Sequence, residues 1–233
     1  MNRDEEKEST ALAKGLASMP ILLIWAFVGM TVLTAALHAG DEPPVVPAKT
    51  AVNAADDRGQ SLPGTCALAP LVVPPTPAKI PGYAELDPST GLHVTGTMKE
   101  IDVTHYRLEV AGKVSRPLSL TFDELRCMPR VQARPTLICP GFFTDVATWA
   151  GTPLKYIVDL AGPQEGATGV RLTGADNYSV SRSLSDATAP KNFLAYEWEG
   201  KALPRLHGFP VRAIFPGLEG NQWVKWVVKI VVF

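Results

Sequence analysis

Apolar and polar positions follow three different patterns along this chain. From Gly15 to Leu37 no side chain is charged, and Pro20 to Leu37 reads PILLIWAFVGMTVLTAAL. As a helix rising 1.5 Å per residue, that stretch reaches across the roughly 30 Å hydrocarbon core of a bilayer. A cleaved signal peptide would show a shorter apolar run, about 7–15 residues, ending in a small-x-small site. Leu37 and Ala39 fit that site poorly. The pattern therefore predicts one uncleaved transmembrane helix over residues 19–39, after a polar tail over residues 1–18. Arg3, Lys7 and Lys14 precede the span and only Lys49 follows it closely. Positive-inside bias then places the main domain on the extracytoplasmic, periplasmic side.

The second pattern, over residues 40–90, has no periodicity. It is rich in Pro and Ala (DEPPVVPAK, LVVPPTPAKIP) and predicts an extended, semi-rigid tether. The third is mostly strand-like. Tyr106–Val110 alternates and ends at Ala111-Gly112. Leu118–Leu125 reads as a strand entering a short helix, with Thr121 as N-cap and Glu124 completing a capping box. Arg134–Cys139 is the next strand. Leu154–Leu160 predicts a helix closed by Gly162-Pro163. Gly169–Thr173, Tyr178–Val180, Phe193–Glu197 and Val211–Phe215 are strand-like, with a turn near Glu199-Gly200, and Trp223–Phe233 is a β-prone ending. Strands outnumber short helices, and neither GxGxxG nor GxxxxGK occurs. The class is α+β, mixed and strand-rich, with the folded domain set at residues 91–233.

Composition narrows the function. The chain has 233 residues and a formal net charge of -1, which gives no basic stripe for nucleic acid. Its three cysteines, Cys66, Cys127 and Cys139, form no CxxC and no His-Cys cluster, against a structural zinc site. The count fits one disulfide plus one functional thiol, and fits three free thiols equally. A Cys66–Cys127 disulfide is open, because spacing alone does not fix it. Cys139 ends an apolar run and is followed at once by Pro140-Gly141, so its thiol is held where a strand enters a tight turn. A lone cysteine is more often an inert packing thiol, but a strand-end thiolate is also a soft metal ligand open to substrate.

Several segments decide between these. Cys139-Pro-Gly, Trp149-Ala-Gly-Thr-Pro-Leu154, Leu160-Ala-Gly162 and Gly174-Ala-Asp-Asn-Tyr-Ser179 come first. Leu203-Pro-Arg-Leu-His-Gly-Phe-Pro-Val-Arg212, Pro216-Gly217 and Trp223-Val-Lys-Trp226 follow. Each is weak alone. In this order and spacing they resemble the sulfite oxidase-type molybdopterin-binding domain, over nearly all of the folded domain. The resemblance implies that fold and a Mo-molybdopterin cofactor, with Cys139 as metal ligand and reacting centre. It implies that His207, Arg212, Lys225 and the backbone at Trp223 and Val224 hold the anionic pterin phosphate, with Gly174 and His93 also lining the site. Arg offers phosphate a planar fork of donors, Lys a point charge, and backbone N–H groups a fixed cradle. Asp176 and Tyr178 are acid–base candidates, although Asp176-Asn177 equally suits a turn.

The chain departs from sulfite oxidases proper. Phe142-Phe143-Thr144 stands where they carry Asn-Arg-Arg, and no upstream Arg-Asn-His is visible. Ending at Phe233, the chain is expected to lack the further dimerisation domain and its tyrosine. Sulfite is a dianion that needs fixed cations, so losing those arginines speaks against sulfite oxidation, and the short, anchored layout looks more like the bacterial members of the fold, including the periplasmic methionine-sulfoxide reductase catalytic subunit. Two phenylalanines beside the metal would make an apolar mouth suited to a neutral substrate or a protein side chain. The expected function is two-electron oxygen-atom transfer by a membrane-anchored oxidoreductase that exchanges electrons with a cytochrome (haem) or quinone-linked partner. The alternative is a cofactor-free docking subunit of a membrane electron-transfer complex. One conflict stands beside this: carriers of this cofactor cross membranes folded on a twin-arginine signal, and only Arg3 precedes the span. The domain then faces the cytoplasm, is exported with a partner that carries the signal, or works without cofactor.

Overall fold

A computed structural model of the chain describes residues 66–233. The expected polar tail, the membrane helix over 19–39 and the first part of the tether lie outside the described residues. The described chain begins with β1 (Leu86–Asp87) and β2 (Leu92–His93), then β3 (Leu108–Gly112), β4 (Leu118–Leu120), α1 (Phe122–Cys127) and β5 (Val131–Ala133). Next come β6 (Thr136–Cys139), β7 (Phe143–Val146), β8 (Trp149–Pro153), α2 (Leu154–Ala161), β9 (Gly169–Gly174), β10 (Ser179–Ser183) and α3 (Leu184–Ala187). β11 (Phe193–Trp198), β12 (Lys201–Ala202), β13 (Arg212–Ile214) and β14 (Val227–Val232) complete it.

Two five-stranded sheets carry the core. One has the order β10-β9-β14-β3-β4; the other runs β12-β11-β8-β5, with β13 also paired to β11. The β-prone chain end becomes the central strand of the first sheet. β14 pairs antiparallel with β9 and parallel with β3. Val227, Ile230 and Val232 are buried there, which is why that segment is so apolar. The α2 helix packs against β8 and β11 of one sheet and β3 of the other. It buries Leu154, Ile157, Val158 and Ala161. Each large apolar side chain so buried stabilises the fold by about 1.5–3 kcal/mol. The helix stops at Gly162, whose φ of 67° is the left-handed cap expected of glycine. At α1 the capping box forms as read: the Thr121 hydroxyl accepts from Glu124 N–H at 3.1 Å, and the Glu124 carboxylate accepts from Thr121 N–H at 2.7 Å.

Several elements were not legible. β8 contains Gly151 and ends at Pro153, residues that usually mark loops, yet it lies between β5 and β11. A Cβ at Gly151 would fall 1.8 Å from the Leu194 carbonyl oxygen, so only glycine lets β8 approach β11. Cys66 and Cys127 form a disulfide. The described part of the expected tether is therefore fastened to the domain. Arg126 Nη2 donates to the Ala69 carbonyl at 2.7 Å and Arg205 Nε to the Pro74 carbonyl at 2.7 Å. β1 lies before residue 91 and pairs with β2. Among the described residues no helix is long and apolar enough to cross a membrane.

Candidate cofactor and active site

The β6–β7 hairpin, the β1–β2 hairpin, the 3₁₀ turn Arg205–His207, β13 and the segment after it converge on one cavity of about 210 Å³. Cys139 sits at its wall, partly exposed and outside any disulfide. Its thiol is pushed up, first by burial and then by the nearby Glu219 and Asp145 carboxylates. These influences all disfavour the thiolate, so a thiolate here needs a cation or metal beside it. Among the described residues no group of three or more His, Cys, Asp and Glu side chains could hold a metal ion. A metal on Cys139 would take its other donors from a cofactor.

Three basic side chains line the same cavity. Arg212 is 5% exposed, its guanidinium 5.0 Å from the Trp149 ring centre and 5.7 Å from that of Trp223. Trp223 is fixed in turn by its indole N–H, which donates to the Phe215 carbonyl at 3.0 Å. Arg212 Nη1 reaches the His207 carbonyl at 3.3 Å, and its buried Nε has no partner. Lys225 donates to the carbonyls of Thr95 and Leu206 and lies 4.5 Å from the Trp226 ring centre. Among the described residues no carboxylate is within ion-pair distance of either cation. Burial pushes Arg212 down to about 10, with Asp145 opposing. Burial and then Arg212 push Lys225 down to about 7, with Asp176 opposing. His207 falls to about 4 through burial, then Arg212 and Lys225, against Asp87. Buried cations without counter-charge are costly, and a bound anion removes the cost.

His207 is oriented from behind. Its Nε2 is 3.1 Å from Asp87 Oδ2 and 3.0 Å from Thr90 Oγ1, both in the β1–β2 hairpin. Burial opposes ionisation of Asp87, but bonds from Ser89, Thr90 and His207 outweigh it and lower its carboxyl. His93, on β2, stacks on Phe143 with ring centres 4.4 Å apart and planes at 9°. Asp145 accepts from His93 N–H at 2.8 Å and lies 2.7 Å from its Nδ1.

Of the residues expected at the site, Cys139, His93, His207, Arg212, Trp223 and Lys225 line this cavity. So do Asp176 and Tyr178; the Tyr178 hydroxyl donates to the Asn221 carbonyl at 2.6 Å. Asp176 accepts from Tyr178 N–H at 3.1 Å, and Asn177 has φ 67°, which makes this segment a turn. Val224 and Gly174 stand behind the wall. Val224 is buried, and a Cβ on Gly174 would come within 2.4 Å of the Lys225 carbonyl oxygen. Gly174 thus permits close backbone approach at Lys225. Asp87, Thr90 and Asp145 were missed. Their side chains act across more than 50 residues of sequence, and Asp87-Pro-Ser-Thr reads locally as a turn.

The site suits an anionic, metal-bearing cofactor: one cavity holds a soft ligand together with a buried guanidinium with an unpartnered donor, an ammonium and an imidazole. Fold and site together define a strand-rich pterin-cofactor domain. Residues 95–233 match the model of the oxidoreductase molybdopterin binding domain family, and the chain belongs to that family. It is therefore a molybdopterin-dependent oxidoreductase domain. Its relatives include a protein of Azospira oryzae provisionally named a protein-methionine-sulfoxide reductase subunit, YedZ1, 30% identical over 58% of this chain and 52% of that one. An uncharacterized oxidoreductase of Bacillus subtilis, YuiH, is 32% identical over 54% of this chain and 64% of that one. Human mitochondrial sulfite oxidase is 35% identical over 57% of this chain and 30% of that one. The sulfane dehydrogenase SoxCD structure of Paracoccus pantotrophus superposes with a TM-score of 0.56 at 27% identity, over 58% of this chain and 40% of that one. The chain thus spans less than two-thirds of the length of each of these relatives.

Proposed function

We propose that this chain is a membrane-anchored molybdenum–pterin oxidoreductase that removes an oxygen atom from a neutral sulfoxide, with electrons supplied by a haem or quinone-linked partner. The observation that carries the reading is Arg212, a buried cation with an unpartnered Nε, facing the cavity that also holds the Cys139 thiol. When bound, the cofactor supplies two-electron oxygen-atom transfer. Cys139 ligates the molybdenum. Arg212, Lys225 and His207 hold the pterin phosphate, and Trp149 and Trp223 keep the guanidinium in place.

Substrate class follows from the mouth. Phe142 is 64% exposed in the turn after Cys139, and its ring meets Tyr83, which lines the cavity, edge-on at 5.6 Å. Phe143 lines the cavity wall beside Cys139. These residues desolvate an incoming group without offering cations, which favours a neutral sulfoxide over the sulfite dianion. The name of the Azospira relative is consistent with that choice. The Cys66–Cys127 disulfide supports an oxidising, extracytoplasmic location, and the apolar stretch over 19–39 supports the anchor.

The test begins with metal. The detergent-solubilised chain, expressed with molybdate, is expected to carry near one molybdenum per chain, and Cys139→Ser to lose the metal or its thiolate absorption. Sulfoxides and sulfite are then offered to the loaded protein with an artificial electron carrier. No metal and no pterin, in a host that loads a control molybdoenzyme, would leave a structural subunit. Turnover of sulfite alone would overturn the substrate assignment.

A further inference from the structure

We infer that His93, clamped by Asp145, is the proton donor to the oxygen that leaves the substrate. The inference rests on the proposed sulfoxide reduction and extends it to a residue. Removing oxygen from a sulfoxide breaks one S=O bond, consumes two electrons and two protons, and yields a sulfide and water. The electrons come from the reduced cofactor and the protons from solvent, so the cavity needs a group that carries protons inward.

The geometry around His93 suits that task. Asp145 is 8% exposed and uses both oxygens on one residue: Oδ2 on His93 N–H at 2.8 Å, and Oδ1 at 2.7 Å from Nδ1. Two contacts from one carboxylate fix the ring's position, and they place the Nδ1 proton between Nδ1 and Oδ1. Phe143 fixes the ring plane by stacking, and Phe143 pairs with Cys139 across the β6–β7 ladder. The other nitrogen, Nε2, makes no hydrogen bond to the described residues, while His93 lines the cavity and stays partly open to water. It can take a proton from solvent and release it inside. The two Asp145 contacts hold the ring in one orientation through those events, as a carboxylate does for a catalytic imidazole.

Other titratable groups nearby have other partners or stand elsewhere in the wall. Glu85, which precedes β1, turns its carboxylate back to Gly82 N–H at 2.8 Å. Cys139 lies on β6 and Tyr83 at the mouth. Asp176, His207, Arg212 and Lys225 line the remaining wall, the last three as cofactor clamps. The Cys139 thiol, held up by burial, is spent on the metal.

The experiment uses the loaded full chain in detergent with two readouts. The first is nitrogen-15 NMR of the His93 ring, with dimethyl sulfoxide absent. Nδ1 is expected to carry a proton directed at Asp145, and Asp145→Asn to change the Nδ1 signal. The second is turnover of dimethyl sulfoxide and a methionine-sulfoxide peptide by His93→Gln, which keeps a polar side chain without a titrating proton. We expect kcat to fall ten- to a thousandfold, the solvent isotope effect to change and the acid limb of the pH profile to flatten. KM should move less than threefold, and molybdenum content should stay at the parent level. Parent activity with an unchanged His93→Gln profile, or an Nδ1 that carries no proton, overturns this inference alone. A loaded parent inert to every sulfoxide overturns the functional reading and this one with it.

Discussion

Asp87 and His207 lie 120 residues apart in sequence, yet Asp87 Oδ2 and His207 Nε2 are 3.1 Å apart with both side chains buried. That contact joins the β1–β2 hairpin to the turn that begins the cationic wall. It holds His207 with its ring in the cavity, beside Arg212 and Lys225. Substituting Asp87→Asn keeps the shape and removes the charge. It should cost about 1.5–3 kcal/mol, the range for a hydrogen bond to a charged group. Urea denaturation of the cofactor-free chain measures it, and a loss below about 0.5 kcal/mol would show that Thr90 alone positions the ring.

Acid should act through the same histidine. In the folded chain His207 protonates only near pH 4, while in the unfolded chain it does so near 6.5. Between those values the unfolded state binds a proton that the folded state does not, so stability falls as pH is lowered through that window. It is unaffected by this group above pH 6.5. The shift corresponds to about 3 kcal/mol at most. Urea midpoints at pH 7, 5.5 and 4.5 should decline in the parent and decline less in His207→Gln. Parallel declines would place the acid lability elsewhere.

Lys225 predicts a change of opposite practical use. Its folded value near 7 lies well below the ordinary 10.5, so the cofactor-free chain loses stability as pH falls from 10.5 towards 7. Lys225→Met removes that slope and keeps most of the volume. The variant also unpairs the carbonyls of Thr95 and Leu206, which offsets part of the gain. The two effects oppose each other in the cofactor-free chain at pH 7, while retention of the pterin is expected to fall at least tenfold. Unchanged cofactor retention would mean that Arg212 and His207 suffice.

These relationships show how far the sequence could be read. Local signals were legible because their physics is local. Thr121 and Glu124 satisfy each other's backbone within one turn, Gly162 ends α2 with a left-handed φ, and a thiol before Pro140-Gly141 falls at a strand end. The cationic wall was legible only as a resemblance, since nothing in the spacing of His207, Arg212 and Lys225 says that they share a cavity. Asp87 and Asp145 were illegible. Each reads as a turn or strand residue, and each gains its role from a partner brought over by long-range pairing. Two-residue strands such as β1 are too short to show a period, so Asp87 falls within the expected tether and His93 is reached only through the resemblance.

The Cys66–Cys127 bridge closes a sequence separation of 61 residues and ties the Pro-rich segment beside α1. Loop-closure entropy predicts about 4 kcal/mol for a ring of that size, and measured disulfides commonly give 2–4. Cys66→Ser should lower stability by that amount and expose residues 69–79 to proteases. The wall at Cys139 is built from other elements, so molybdenum content of the folded variant should hold. Loss of metal in step with the bridge would show that the fastened segment also supports the site.

The apolar mouth gives the sharpest test of substrate class. Phe142 is exposed and packs on Tyr83, a residue of the cavity lining, so an arginine there meets little steric conflict and would bring a positive charge towards the cavity. At an effective dielectric near 20, a cation about 5 Å from a unit charge contributes about 3 kcal/mol of attraction, partly screened at an open site. A dianion gains from this and a neutral sulfoxide does not. Phe142→Arg should therefore raise the sulfite-to-sulfoxide ratio of kcat/KM ten- to a hundredfold, about 1.4–2.8 kcal/mol. The increase should shrink as salt is added. A ratio that stays within twofold of the parent would show that this mouth does not choose the substrate. The choice would then lie deeper, at Phe143 and His93, where the ring stack narrows the approach to Cys139.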